Sequence, residues 1–135
     1  GQAAIFETRG NQDCHVILRG GKLPNYAATD VDAACTLLKS AGLREQVMVD
    51  VSHANSSKQH QKQIEVAANV AQQIAAGDLR ITGLMVESHL EEGRQDIVPG
   101  QPLKVGVSVT DACISMAQTV PVLQGLAAAV RARRG

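Results

Sequence analysis

The chain is almost without aromatic side chains. Only Phe6 and Tyr26 carry a large aromatic ring among 135 residues, and tryptophan is absent. A surface for single-stranded nucleic acid relies on several stacked rings, so that class is set aside. An excess of charge of one sign is also missing. Thirteen Lys and Arg balance thirteen Asp and Glu, and no long-range field draws a polyanion. No apolar run approaches the ~18 residues that a membrane-spanning helix needs. Gly1-Gln2-Ala3-Ala4 is not a basic segment leading into an apolar block, so no signal peptide is visible and a cytoplasmic location is expected. Cysteine is sparse. Cys14, Cys35 and Cys113 are odd in number, widely spaced and without a CxxC pair, which argues against a disulfide framework and against a structural zinc site. Reduced, mostly buried thiols are the expectation.

What is present is a set of short apolar runs separated by helix-length stretches. At 44% apolar residues the chain can build one core. Cys14-His15-Val16-Ile17-Leu18, residues 46–51 and residues 80–86 read as strands buried in a parallel sheet. Between them, Thr29 is placed as the N-cap of a helix whose face carries Val31, Ala34, Leu37 and Leu38, with Gly42 ending it. A longer helix is expected from about residue 58 to 76, with Ile64, Val66, Ala67, Val70, Ala71, Ile74 and Ala75 inward. A last one is expected from about 119 to 134, with Pro121 in its first turn and Val122, Leu123, Leu126, Ala129 and Val130 inward. Residues 88–106 read as a long loop of the kind that is usually functional. Residues 3–8, before a turn signal at Arg9-Gly10-Asn11-Gln12, read as one strand of a hairpin. The β-α alternation predicts an α/β fold of three units with right-handed crossovers. Three units leave an unpaired apolar edge, so this looks like part of something larger.

Ligand-type residues recur where these runs end. His53 follows Val47-Met48-Val49-Asp50-Val51-Ser52, Glu87 follows Thr82-Gly83-Leu84-Met85-Val86, and Asp111 follows Val107-Ser108-Val109-Thr110. Polar side chains at the carboxyl ends of parallel strands are where ligands bind in such sheets. An imidazole with two carboxylates suits Mn, Fe, Co or Zn. Arg19-Gly20-Gly21 is either an anion site, where glycines let backbone approach a ligand, or a turn with an exposed arginine. The pairs Ser52-His53 and Ser88-His89 are expected to point apart, which argues against a nucleophile triad.

Four stretches make the chain recognisable: Cys14 to Gly21 with Pro24-Asn25-Tyr26, Asp50-Val51-Ser52-His53-Ala54-Asn55-Ser56-Ser57-Lys58, Gly83-Leu84-Met85-Val86-Glu87-Ser88, and Ser108-Val109-Thr110-Asp111-Ala112-Cys113-Ile114. Together they closely resemble the carboxyl-terminal part of the type I 3-deoxy-D-arabino-heptulosonate 7-phosphate (DAHP) synthases. The resemblance implies a TIM-type (β/α)8 barrel. Residues 14–135 would form the C-terminal part of that barrel, and residues 1–13 part of a regulatory hairpin. It implies condensation of phosphoenolpyruvate with erythrose 4-phosphate, the first step of the shikimate pathway to aromatic amino acids. His53, Glu87 and Asp111 fall on three of the family's four metal ligands, with His53 and Glu87 also candidates for proton transfer. Arg19 falls on an arginine that contacts phosphoenolpyruvate. Ile5 and Phe6 fall on the hairpin tied to feedback inhibition by an aromatic amino acid. The fourth ligand is a Cys in the N-terminal half, and Cys14, Cys35 and Cys113 do not match it. The lysine and remaining arginines that hold the substrates lie in that half as well. A chain without them is expected to be inactive alone and to self-associate as a homo-oligomer. The other reading is a non-catalytic assembly module that pairs its exposed strand edges.

Overall fold

Three short apolar runs pair into one parallel sheet, and the stretches between them coil back across one face of it. In the computed structural model, which describes residues 1–11 and 13–135, the elements run β1 (Val16–Leu18), α1 (Ala28–Ser40), β2 (Val47–Asp50), α2 (Lys62–Ala75), β3 (Ile81–Met85), β4 (Ser88–His89), β5 (Ile114–Ser115) and α3 (Met116–Arg134). The main sheet has the order β1-β2-β3, with Leu18 beside Val49 and Val49 beside Leu84. β4 and β5 form a separate parallel pair. No described helix is long and apolar enough to cross a membrane.

Strand alternation sets the two faces of β2. Val47 and Val49 are fully buried in a core with Leu18, Val31, Val70 and Ile74. Met48 and Asp50 point to the opposite face. There Met48 lies against Gly83, where a Cβ would come within 2.9 Å of its Cε. Ile17 and Met85, paired in register with Met48 and Asp50, keep 37% of their surface open. The strands were expected to be buried on both faces, but the helices cover only one. β1 and β3 each have a single neighbour in the sheet.

Several boundaries differ from the sequence expectation for identifiable reasons. α1 starts at Ala28 with Ala27 as its N-cap, and Asp30 caps it by accepting the Ala27 N–H at 3.0 Å. Thr29 already lies in the first turn. α2 starts four residues late because Ser57 and Lys58 sit at φ 54° and 59°, a left-handed geometry that a right-handed helix cannot hold. α3 starts earlier than expected. Ser115 Oγ accepts the Gln118 N–H at 3.2 Å, and Gln118 Oε1 accepts the Ser115 N–H at 2.7 Å, a reciprocal capping box. Pro121 therefore lies beyond the first turn. Leu37 and Leu123 are exposed, while Cys35 is buried in their stead on α1. Val107-Ser108-Val109-Thr110 is no strand: Ser108 makes only an isolated bridge with Arg94, and the strand proper, β5, follows Asp111. The expected hairpin strand over residues 3–8 does not form. No described residue from 1 to 11 is in a strand, Ile5 and Phe6 are exposed, and a strand exists only through a partner. Gln12, in the expected turn, lies outside the described residues.

The ends of β1 and β2 are tied by one side chain. Buried Asn55 donates from Nδ2 to the carbonyls of Leu18 (3.0 Å) and Asp50 (2.7 Å), and its Oδ1 accepts the Asn25 N–H at 2.8 Å. Gly20 fits beneath this knot at φ 77°, where a Cβ would lie 2.8 Å from Ala54 Cβ and 3.0 Å from Asn55 N. Gly20 thus lets the chain's own backbone approach closely. Gly20→Ala is expected to destabilise by about 2 kcal/mol or more, from left-handed strain plus overpacking. Gly42→Ala, at φ 70° in open space, carries only the strain of about 1 kcal/mol. Urea midpoints of the two variants check this, and equal losses would contradict the close approach.

Candidate metal centre

The path of the chain after β2 decides where His53 points. Asp50 is 1% exposed, and a buried carboxylate must find donors. Its Oδ1 accepts from the Ser52 N–H (2.8 Å) and the Ser52 hydroxyl (2.6 Å), and its Oδ2 lies 2.7 Å from His53 Nδ1. Ser52 Oγ also stands 2.7 Å from the same ring nitrogen. These contacts turn the backbone sharply, and His53 adopts φ 48°. Ser52 and His53 therefore meet, contrary to the expectation that sequence neighbours diverge, because neither remains in the strand. The other pair does diverge: Ser88 Oγ pairs with Thr119 Oγ1 at 2.5 Å, while His89 Nδ1 turns to the Gly106 carbonyl.

In the tautomer with its proton on Nδ1, where the Asp50 carboxylate accepts it, Nε2 offers its lone pair. Nε2 faces Glu87 Oε1 at 3.5 Å. Glu87 is two residues past β3 and Asp111 three residues before β5. One ligand atom from each of His53, Glu87 and Asp111 lies within 4.8 Å of the others, with His53 and Glu87 half-buried and Asp111 exposed. The three residues thus converge, though Asp111 reaches the group from the start of a strand and not from its end. Arg19 is exposed, one residue past the Leu18–Val49 pair at the same end of the sheet. Ile5 and Phe6 lie outside this group, in the exposed N-terminal segment.

The electrostatics reflect crowding by negative charge. The Glu87 carboxyl is pushed above its ordinary range, first by burial, then by the Asp111 and Asp50 carboxylates, with His53 pulling the other way. The buried Cys113 thiol is likewise pushed up, mainly by burial and further by Glu87 and Asp111. Cys35 is buried as expected, whereas Cys14 is exposed. An imidazole with a free Nε2 and two mutually repelling carboxylates is a donor set that a divalent cation would satisfy and discharge. Sequence reasoning missed Asp50 and Ser52 as supports of the ring. The signal was an Asp three residues before a His at a strand end.

Fold and site together define a parallel α/β protein with a divalent-cation donor set at one rim of its sheet. Comparison with known proteins narrows this class. The model of the DAHP synthetase I family matches residues 1–124, and the chain belongs to that family. It is 57% identical over 135 residues to the Phe-sensitive phospho-2-dehydro-3-deoxyheptonate aldolase of Escherichia coli (strain K12), covering 100% of this chain and 39% of that one. The tyrosine-inhibited phospho-2-dehydro-3-deoxyheptonate aldolase of Schizosaccharomyces pombe is 55% identical, over 99% of this chain and 37% of that one. The solved structure of the phospho-2-dehydro-3-deoxyheptonate aldolase from Francisella tularensis SCHU S4 superposes with a TM-score of 0.92 at 49% identity, over 98% of this chain and 38% of that one. The chain thus spans about two fifths of the length of the relatives it matches.

The raised Glu87 carboxyl has a thermodynamic sign. Its folded midpoint lies above its unfolded one, so its contribution to stability is full below the unfolded range and is lost as pH rises through the folded midpoint. In the metal-free chain, carbon-detected NMR should show Glu87 titrating above an ordinary glutamate. Asp111→Asn should lower that midpoint without normalising it, because burial remains. An unshifted Glu87 would remove the crowding argument.

Proposed function

We propose that this chain supplies the metal-binding rim of a DAHP synthase, which condenses phosphoenolpyruvate with D-erythrose 4-phosphate to give DAHP and phosphate. The observation that carries the reading is the convergence of His53, Glu87 and Asp111 within 4.8 Å. Membership of the DAHP synthetase I family supports it. Residues 14–135 are read as the C-terminal part of a (β/α)8 barrel, with the open sheet face that carries Met48 turned toward its interior.

His53, Glu87 and Asp111 would hold the cation (Mn, Fe, Co or Zn), with a cysteine from the remaining length of the relatives as fourth ligand. When bound, such an ion supplies Lewis acidity toward the aldehyde. Arg19 holds the phosphoenolpyruvate anion through its forked donors. C3 of phosphoenolpyruvate bonds to the aldehyde carbon, water adds at C2, and phosphate leaves as C2 becomes a ketone. His53 and Glu87 are the groups suited to moving the protons, the aldehyde oxygen taking one and the added water giving up its own. Relatives are named Phe-sensitive, tyrosine-inhibited and Trp-sensitive. In this reading residues 1–13, with Ile5 and Phe6, are part of the hairpin that answers to an aromatic amino acid.

On this account the 135-residue chain is inactive alone, because the fourth ligand and most phosphate-binding groups belong to the part of the relatives it does not span. A phosphate-release assay with phosphoenolpyruvate, erythrose 4-phosphate and Mn(II) should give no turnover. Turnover near ordinary enzyme rates, roughly 1–1,000 per second, would overturn that account.

A second reading rests on the edges of β1 and β3, each with one neighbour: a non-catalytic module that pairs those edges with another copy. Both readings expect a homo-oligomer, so sedimentation velocity should show self-association at micromolar concentration. A compact cooperative monomer would contradict the self-association that both readings expect.

A further inference from the structure

Gln63 is 1% exposed on the first turn of α2. Burying an uncharged amide is costly unless both of its ends are satisfied. Here the backbone of one residue satisfies both. Gln63 Oε1 accepts the Glu87 N–H at 2.8 Å, and Gln63 Nε2 donates to the Glu87 carbonyl at 3.1 Å. This is the paired pattern by which a neighbouring strand holds a residue in a ladder. Glu87 needs such a substitute because it lies in the gap between β3, which ends at Met85, and β4, which begins at Ser88. The Ile114 N–H donates to the same carbonyl at 3.0 Å.

We infer that Gln63 is a positioning residue for the cation site: it acts as a one-residue strand that fixes the backbone of Glu87 on both sides of its Cα and so aims the Glu87 carboxylate at His53 and Asp111. The inference rests on the metal reading above. Three hydrogen bonds on the two peptide units that flank the Glu87 Cα set the direction of its Cα–Cβ bond, and the carboxylate then arrives 3.5 Å from His53 Nε2. Helix α2 thereby becomes part of the site without contributing a ligand. Groups that orient metal ligands usually influence affinity nearly as strongly as ligands do.

The test compares Mn(II) affinity, followed by the EPR signal of free ion, with hydrogen exchange of the Glu87 amide in the full chain. Gln63→Met keeps the volume and removes both partners. Val70→Ala, on the same helix in the apolar core, supplies a loss of stability with no hydrogen bond to Glu87. Gln63→Met is expected to speed exchange at Glu87 by at least tenfold and to weaken Mn(II) binding roughly 10- to 100-fold, while Val70→Ala changes neither more than about twofold. Should Gln63→Met not fold, Gln63→Glu keeps the shape and the acceptor without the donor and is read in the same way. Unchanged Mn(II) affinity in the folded Gln63 variant, or an equal loss in Val70→Ala at matched melting temperature, overturns the inference. Glu87→Gln separates the two layers. If it binds Mn(II) as well as wild type does, the metal reading itself falls; if it loses binding while the Gln63 variant does not, only the role of Gln63 falls.

Discussion

The buried Asp50 carboxylate is the constraint on which the rim of this molecule depends. It sits at the last position of the central strand, on the face away from the helices, and is met by the Ser52 N–H, the Ser52 hydroxyl and His53 Nδ1. A carboxylate so enclosed has to be met by polar hydrogens, and the nearest belong to the next three residues. The chain therefore folds over its own strand end. The backbone enters left-handed geometry at His53, and the imidazole is presented with one nitrogen occupied and the other free. The delayed start of α2 follows from the same turn, since Ser57 and Lys58 must complete it before a right-handed helix can begin.

Around that anchor the site is assembled from elements that gain little from one another directly. Glu87 and Asp111 repel, and burial adds to the cost of ionising Glu87. What holds them together is the frame behind them: Asn55 knotting β1 to β2, Gln63 standing in for a strand at Glu87, and the Ile114 N–H closing the segment after Asp111. Polar side chains tolerate full burial here because each replaces a missing backbone partner. Electrostatic strain among His53, Glu87 and Asp111 and hydrogen-bond satisfaction behind them are two sides of one arrangement, in which a bound cation would relieve the first without disturbing the second.

The sequence made the parallel order of strands and the gathering of His53, Glu87 and Asp111 legible because both leave periodic marks. Apolar runs at helix-length spacing define a βαβ ladder, and a His, a Glu and an Asp near the same edge of it can be read without coordinates. The supports were hidden for physical reasons. Asn55 and Gln63 are polar residues in polar neighbourhoods, and nothing local shows that their partners lie far along the chain. Asp50 was hidden inside an apolar run. The run over 107–110 forms no strand because apolar residues alone do not guarantee a partner, and among the described residues of that run Ser108 alone makes a bridge. Leu37 and Leu123 were placed inward by periodicity alone, yet both are exposed, because a helical stripe does not show how wide a face its neighbours cover.

The contacts of the rim differ greatly in how far they reach along the chain, and this imposes an order of assembly. The Asp50–Ser52–His53 contacts span two or three residues, whereas Gln63–Glu87 spans 24 and Asn55–Leu18 spans 37. Short loops close at small entropic cost, and long ones must wait for the sheet. The imidazole can thus be oriented while much of the polypeptide is still unstructured, but Glu87 finds its place only when β3 docks. On the proposed metal reading, a cation would therefore be captured only after the sheet has formed, as a reporter of completed tertiary structure and not a nucleus for it.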